Sequence, residues 1–141
     1  MRRPVYILFL LLLFVQKINA QESNYPFHTL NESNGLVDNL IFCLLKDRQD
    51  ILWIGTQNGL SRFDGSHFYN FKKGRSENSL PHNAVGCLCE DTNGHIWGGT
   101  DNGIFQYAPA QHTFQRYASN ALSNKINNIR CLQDGSLYAT T

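Results

Sequence analysis

The sequence lacks any concentration of charge. Its 141 residues include 12 Lys and Arg against 11 Asp and Glu, a formal net charge of +1, and only 16% of the residues are charged. No basic block and no acidic tail interrupts this balance. Recognition of nucleic acid or of an anionic membrane surface relies on clustered basic side chains. The composition therefore argues against both partners.

Sequence motifs for metal, cofactor or phosphate binding are also missing. There is no Cys-x-x-Cys pair, no Gly-x-Gly-x-x-Gly and no P-loop. The histidines stand at no ligand or catalytic spacing; they are His28, His67, His82, His95 and His112. We therefore expect no metal, no cofactor and no catalytic residue, and hence no enzyme activity. The pattern does not identify the ligand-binding residues.

Acidic side chains fall mainly in turn clusters. Such residues include Asp47, Asp50, Asp91 and Asp101. Aspartate is favoured in turns because its carboxylate bonds to nearby backbone N–H groups. A glycosidase would instead need two carboxylates that converge across a sugar. The turn interpretation is favoured, and the converging pair stays open at this point.

Long apolar runs are absent except at the N-terminus. Arg2 and Arg3 precede an apolar run over residues 5–15, and a short polar stretch then ends at Ala20. Eleven residues are too few for a bilayer, which needs about 20. The pattern predicts a signal peptide over residues 1–20, cleaved after Ala20, and export to the periplasm. An uncleaved anchor is the alternative.

Cysteine is scarce, and its placement leaves two interpretations open. Cys43 and Cys87 occupy the same place in two copies of a repeat, inside apolar segments, which favours buried thiols. Cys89 and Cys131 complete an even number, and an exported chain permits disulfides. Cys87 and Cys89 lie on one face of a predicted strand, which is poor geometry for a bond between them.

What the sequence does contain is a repeat. Leu-Trp-Ile-Gly-Thr at 52–56 recurs as Ile-Trp-Gly-Gly-Thr at 96–100 and as Leu-Tyr-Ala-Thr-Thr at 137–141. A period in the low forties, made of strand-like segments, is typical of β-propeller blades. Closing a propeller takes about four to eight blades. We predict an all-β fold with about two and a half blades of four antiparallel strands.

The repeat divides the chain. We predict an N-terminal strand within 21–34, which would close the ring of a full propeller, then blade 1 (35–79), blade 2 (80–121) and a truncated blade 3 (122–141). In blade 2 the predicted strands are 85–90, 95–100, 104–107 and 113–117, joined by turns rich in Asp, Asn and Gly. Several strands are apolar on both faces, which indicates sheets sandwiched between neighbouring sheets.

Two repeated residue types have a predicted structural role. Gly55 and Gly99 interrupt strands, which indicates close backbone approach, and Thr140 takes this place in the third copy. Trp53 and Trp97 lie two residues before each glycine. Packing between blades is the favoured role for the tryptophans, and stacking on a sugar is the alternative.

These blocks carry a family resemblance. Residues 52–65, together with 83–85 and 90–97, resemble the two-component regulator propeller repeat. The resemblance implies the N-terminal part of the periplasmic sensor of a hybrid histidine kinase-type regulator, with a carbohydrate ligand. Its partners would be the remaining blades of a longer chain or a homodimer partner. Membrane contact would come only through the signal peptide or a C-terminal region not in this sequence, and no kinase domain is present. The alternatives are a fragment of an exported polysaccharide-degrading enzyme and a short self-assembling propeller protein.

Overall fold

A computed structural model describes residues 27–76, 78–117 and 125–141. These residues form one short 3-10 helix, Glu32–Asn34, and ten strands. The strands are β1 (Ile41–Lys46), β2 (Leu52–Thr56), β3 (Gly59–Phe63), β4 (Phe68–Phe71), β5 (Val85–Glu90), β6 (Ile96–Thr100), β7 (Gly103–Ala108), β8 (Thr113–Tyr117), β9 (Asn128–Cys131) and β10 (Leu137–Thr140). The predicted all-β fold is confirmed.

The strands form two complete blades and a hairpin. Blade 1 is an antiparallel sheet of order β1-β2-β3-β4, blade 2 has the order β5-β6-β7-β8, and blade 3 is the β9–β10 pair. The two complete blades share one register. Cys43 pairs with Gly55 in blade 1 as Cys87 pairs with Gly99 in blade 2, and each first strand has an irregularity just before its cysteine.

The second hairpin of each complete blade is fixed by the same three residues. Gly59 has a φ of 144°, a backbone conformation that side chains disfavour. Thr56 donates its hydroxyl to the Gly59 carbonyl at 2.9 Å and accepts from the Asn58 N–H at 3.1 Å. The equivalent threonine of blade 2 makes both bonds. The Thr-x-Asn-Gly sequence therefore specifies the reversal locally.

The N-terminal segment is described only from residue 27 onward. The signal peptide and residues 21–26 of the predicted N-terminal segment (21–34) lie outside the described residues. Residues 27–30 form no strand, because no described strand pairs with them, and Asn31 caps the 3-10 turn by accepting from the Ser33 N–H at 2.9 Å. A ring-closing strand there stays a prediction. In the part of the chain described, no helix has the length and apolar character to cross a membrane.

The core lies between blades rather than within one sheet. The larger cluster of buried side chains joins blades 1 and 2; its members are Trp53, Leu60, Leu80, Val85, Ile96, Phe105, Tyr107 and Phe114. A smaller cluster joins blades 2 and 3 and consists of Cys87, Ile104, Ile126 and Ile129. Sheets stacked face to face bury apolar side chains on both faces, as the sequence pattern predicts.

Gly55 and Gly99, inside the second strands, lie where a neighbouring blade approaches the backbone closely. A Cβ atom on Gly55 would lie 2.4 Å from the Cys43 sulfur and 2.7 Å from the Val85 carbonyl oxygen. One on Gly99 would lie 2.6 Å from both the Cys87 sulfur and Ile126. The predicted close approach is confirmed, and it brings the second strand of one blade against the chain of the next.

One face of blade 1 is uncovered. Val85 on β5 is fully buried against blade 1, whereas its counterpart Ile41 on β1 is 42% exposed. Leu44 on β1 is 60% exposed, whereas its counterpart Leu88 packs against the larger cluster. Burial on both faces therefore holds for blade 2 and does not hold for β1, which has no neighbouring sheet among the described residues.

Candidate functional site

The turn carboxylate of blade 1 anchors the repeated tryptophan. Asp47 Oδ1 accepts hydrogen bonds from the backbone N–H groups of Gln49 at 2.9 Å and Ile51 at 3.0 Å. Its Oδ2 accepts the indole N–H of Trp53 at 2.8 Å. The predicted turn role is confirmed. The indole bond was not predicted, although an Asp-x5-Trp spacing in both copies was a signal for it.

Blade 2 repeats this arrangement with a histidine added. Asp91 accepts from the backbone N–H groups of Asn93 and His95, and its Oδ2 lies 2.8 Å from the Trp97 indole nitrogen and 3.0 Å from His95 Nδ1. Burial by itself raises the pKa of Asp91, but the hydrogen bonds from Trp97, His95 and Asn93 lower it by a larger amount. The pKa of Asp91 is therefore below its ordinary value. The group is therefore held as a carboxylate.

The remaining turn acids are engaged in surface ion pairs. Asp50 lies 2.7 Å from the Lys46 ammonium, and Asp101 lies 3.8 Å from the Lys125 ammonium. Within the residues the structure describes, no three His, Cys, Asp or Glu side chains are grouped so as to hold a metal ion. Each of these four aspartates is thus hydrogen-bonded within its own turn or paired with a lysine.

The tryptophans pack between aromatic side chains. Trp53 is fully buried, with its ring centroid 5.2 Å from that of Tyr107 and 6.3 Å from that of Phe71. Trp97 is half-buried, 5.1 Å from Tyr117. The predicted packing role is confirmed for Trp53, which has no exposed face for a sugar.

Two of the four cysteines form a disulfide and the other two are free thiols, so each of the two interpretations of the cysteines holds for one pair. Cys89 on β5 and Cys131 on β9 form a disulfide that joins blade 2 to blade 3, whereas Cys43 and Cys87 are free. The Cys43 thiol lies 3.6 Å from the Val85 carbonyl oxygen of the next blade. Burial raises the pKa of Cys43 to about 12 and also raises the pKa of Cys87, so both are unreactive thiols at neutral pH.

A depression of about 560 Å³ lies where the second hairpins of both blades turn. We call it the hairpin groove; it is lined by Phe42, Gln57, Asn58, His82, Asn83, Ala84, Gly86, Asp101, Lys125, Ile126 and Asn127. It is bounded by the β2–β3 hairpin of blade 1, the approach to β5 and the approach to β9. No sequence motif indicates this groove, because its residues come from three separate blades.

The chemistry of the hairpin groove is that of amides. Among the described residues, the side-chain amides of Gln57, Asn58 and Asn127 make no hydrogen bond, so their donors and acceptors face solvent. Phe42 adds a ring that is 48% exposed. Amide groups both donate and accept, as sugar hydroxyls do, and an exposed ring can cover an apolar sugar face. The groove is suited to a neutral, hydroxyl-rich ligand.

Comparison with known proteins identifies the repeat. Residues 35–58 and 79–102 match the family described as two component regulator propeller. These segments cover the first two strands of each complete blade and the following Asn. The chain is also 35% identical, over 51 residues, to Histidine kinase P4 of Formosa agariphila. That match covers 36% of this chain and 4% of the kinase.

Two solved structures from B. thetaiotaomicron share the fold. One is the extracellular domain of a protein named as a hybrid two component system, with 25% identity and a TM-score of 0.74; the match covers 81% of this chain and 17% of that domain. The other is the extracellular domain of a protein named as a one component system, with 26% identity, a TM-score of 0.68, and coverage of 82% and 17%. The chain thus spans a small part of each relative's length.

Proposed function

Since the chain carries two-component regulator propeller repeats, we propose that it is the N-terminal part of the periplasmic ligand-sensing β-propeller of a hybrid histidine kinase-type regulator. The observation that carries the proposal is the structural match of 81% of the chain to the extracellular domain of a protein named as a hybrid two component system. The predicted signal peptide over residues 1–20 supports a periplasmic location.

We assign the chain a binding role rather than a catalytic one. Asp47 and Asp91, the most buried turn carboxylates, each hold a tryptophan and their own turn. Hydrolysis of a glycoside would need a pair of carboxyl groups on either side of the sugar bond. The hydrogen bonds of these carboxylates favour a structural role over a catalytic one. Signalling by a kinase would belong to another part of a longer protein.

The ligand we propose is a glycan fragment bound in the hairpin groove. Support comes from the three amides of Gln57, Asn58 and Asn127, from the exposed ring of Phe42 and from a volume of about 560 Å³. Among the described lining residues, the Asp and Lys side chains are Asp101 and Lys125, which form an ion pair with each other, so their charges offset one another. Neutral sugars therefore fit the lining better than ionic ligands do.

The uncovered face of β1 is the proposed contact for a further blade. In blade 2 the corresponding face, centred on Val85, is covered by blade 1. The occupant we propose is another blade of a longer chain, and a second copy of this chain is the alternative outcome. Light scattering on the full-length protein distinguishes them, because a monomer supports the former and a defined closed oligomer the latter.

Titration calorimetry of the protein's exported region against a panel of neutral oligosaccharides tests the ligand assignment. We expect binding of at least one oligosaccharide at micromolar Kd, weakened at least tenfold by Asn58→Ala together with Asn127→Ala. Gln115→Ala is the matched control, since Gln115 is an exposed amide on β8, away from the groove. No binding across the panel, or equal loss with the control, would contradict the proposal.

Localisation needs a separate measurement. Mass spectrometry of the protein recovered from a periplasmic fraction is expected to show a mature N-terminus at Gln21. Recovery of the protein with Met1 intact in the membrane fraction would indicate an uncleaved anchor instead.

A further inference from the structure

A second depression lies on the outer rim, between blades 1 and 2. We call it the rim groove; its volume is about 540 Å³, and Arg62, Tyr69, Phe71, Tyr107 and His112 dominate its lining. These residues belong to β3, β4, β7 and the turn between β7 and β8. The groove is therefore formed by the outer strands of two complete blades and is separate from the hairpin groove.

Arg62 brings an unpaired positive charge to this groove. It is half-buried, and its guanidinium carbon lies 5.2 Å from the centre of the Tyr69 ring. Within the described ranges it makes no hydrogen bond and no salt bridge. The other half-buried arginine, Arg116, is bonded to carbonyl groups of the loop between the blades, including the Ser79 carbonyl at 2.8 Å. The donors of Arg62 thus stay available.

The nearby carboxylates are already engaged. The pKa of Asp64 is lowered mainly by the backbone N–H groups of His67 and Ser66, which donate to its Oδ1 at 2.8 Å and 2.9 Å, and the positive charge of Arg62 adds to this shift. Asp47 lines an adjoining depression that shares Arg62, and both of its oxygens are bonded within its own turn and to Trp53. Neither acid is placed to neutralise Arg62 by direct contact.

Aromatic rings form the apolar part of the groove. Tyr69 is 50% exposed, and Phe71 beside it is half-buried and packs 5.4 Å from Tyr107. An arginine stacked on a tyrosine keeps the edge of its planar fork free, and this geometry matches a carboxylate with two parallel hydrogen bonds. The ring surface and the fork together present one apolar area next to one cationic area.

His112 completes the lining under conformational strain. Its φ of 52° is in the left-handed region, which a residue with a side chain adopts at a cost. The conformation brings Nδ1 to 3.1 Å from the Tyr107 hydroxyl. Because Nδ1 contacts Tyr107, the other ring nitrogen of this exposed side chain, Nε2, is available to bond a ligand.

We propose that the rim groove binds a carboxylate attached to a ring. The carboxylate pairs with the Arg62 fork, the ring lies on the aromatic surface of Tyr69 and Phe71, and His112 adds a second polar contact. Two sources supply this chemistry: a uronic acid residue of a glycan, and an aromatic acid. The assignment does not depend on the sensor role or on the hairpin groove.

Matched probes test the chemistry. Sodium glucuronate and sodium benzoate are titrated into the ¹⁵N-labelled chain alongside glucose and benzyl alcohol, their neutral counterparts, with the Arg62 Nε signal as the readout. We expect a carboxylate probe to shift this signal and to bind at least about tenfold more tightly than its neutral counterpart. Tighter binding of glucuronate assigns a sugar acid, and tighter binding of benzoate an aromatic acid. Equal binding of the neutral probes, or no binding of either acid, would overturn the proposal.

Variants locate the site. Arg62→Gln should weaken binding of the carboxylate probe about tenfold or more, and Arg62→Lys should lose less, since it keeps the charge without the fork. Arg130→Gln, at an exposed arginine on β9, should leave the Kd unchanged. His112→Asn, which tolerates the left-handed backbone, should cost a few-fold and provides a second test if Arg62→Gln unfolds. Unchanged binding in the folded Arg62 and His112 variants would sink the assignment.

Discussion

Blades 1 and 2 meet through several buried aromatic rings, whereas blades 2 and 3 meet through a smaller cluster of mainly aliphatic side chains, a half-buried tryptophan and a disulfide. At the first junction Trp53, Tyr107 and Phe114 interlock, with ring centroids 4.7 to 5.2 Å apart along the series. At the second, the buried side chains are smaller, and Cys89 is bonded to Cys131. The same repeat thus allows two ways of joining neighbours: extensive apolar burial, or modest burial supplemented by a covalent link.

The strongest test of the aromatic junction is Trp53→Ala. The substitution leaves a cavity between blades 1 and 2 and removes the donor for Asp47 Oδ2. We expect a loss of about 3–5 kcal/mol in the free energy of unfolding, measured by urea denaturation followed by circular dichroism. Trp97→Ala is the matched comparison and should cost clearly less, because that ring is half-buried. Equal losses in the two variants would mean that the junctions do not differ as described.

The covalent junction is tested by removing the disulfide. Cys89 and Cys131 are 42 residues apart in the sequence, and replacing both by serine removes the loop that the disulfide closes in the unfolded chain. We expect the free energy of unfolding to fall by about 2–4 kcal/mol. Adding a reductant should lower the Tm of the wild-type chain and leave that of the double variant unchanged. An unaffected wild-type Tm under full reduction would show that the link contributes nothing to this junction.

The closeness of the blades is tested by adding one methyl group. Gly99→Ala would place a Cβ 2.6 Å from the Cys87 sulfur, and we expect a loss of about 1–3 kcal/mol from overpacking. Gly86→Ala is the control, since its Cβ would meet nothing closer than the Ile126 carbonyl oxygen at 3.7 Å. Thermal melts of the two variants that coincide would show that the blades can move apart freely.

The smallest expected effect is a pH dependence from Asp91. Its pKa is lowered in the folded state by bonds that include the one from Trp97, so its stabilising contribution is complete above the unfolded value of 3.8 and is lost as pH falls through the folded pKa. Trp97→Phe removes one donor and should reduce the drop in Tm between pH 5 and pH 2. Melting curves across this range check the sign. A larger drop in the variant would contradict it.

Local sequence chemistry determined most of the strand pattern. The strands predicted at 85–90 and 113–117 coincide with β5 and β8, and the others differ by a residue or so at their ends. Asn-Gly steps and the Asp-rich turns act within a few residues, so they can be interpreted without knowing the neighbours. The ring-closing strand at the N-terminus stays a prediction: residues 27–30 pair with no described strand, and the sequence does not say whether a partner is present.

Contacts between blades were beyond the reach of the sequence. The partner of Cys89 depends on which strands become neighbours, and four cysteines allow three pairings. Two of the residues that line the rim groove in blade 1 are not repeated at the equivalent positions of blade 2. Arg62 aligns with Gln106 in blade 2, and Tyr69, which pairs with Arg62, aligns with Gln115, which pairs with Gln106, so the repeat that reveals the fold conceals this feature.

The bond from each turn aspartate to its tryptophan has a consequence for how such chains grow. Asp47 and Trp53 are six residues apart, as are Asp91 and Trp97, so both partners lie inside one repeat. A duplication of the DNA that encodes one repeat therefore copies the bond whole. The new unit arrives with its first hairpin already braced, and selection has only the contact surfaces between units left to adjust.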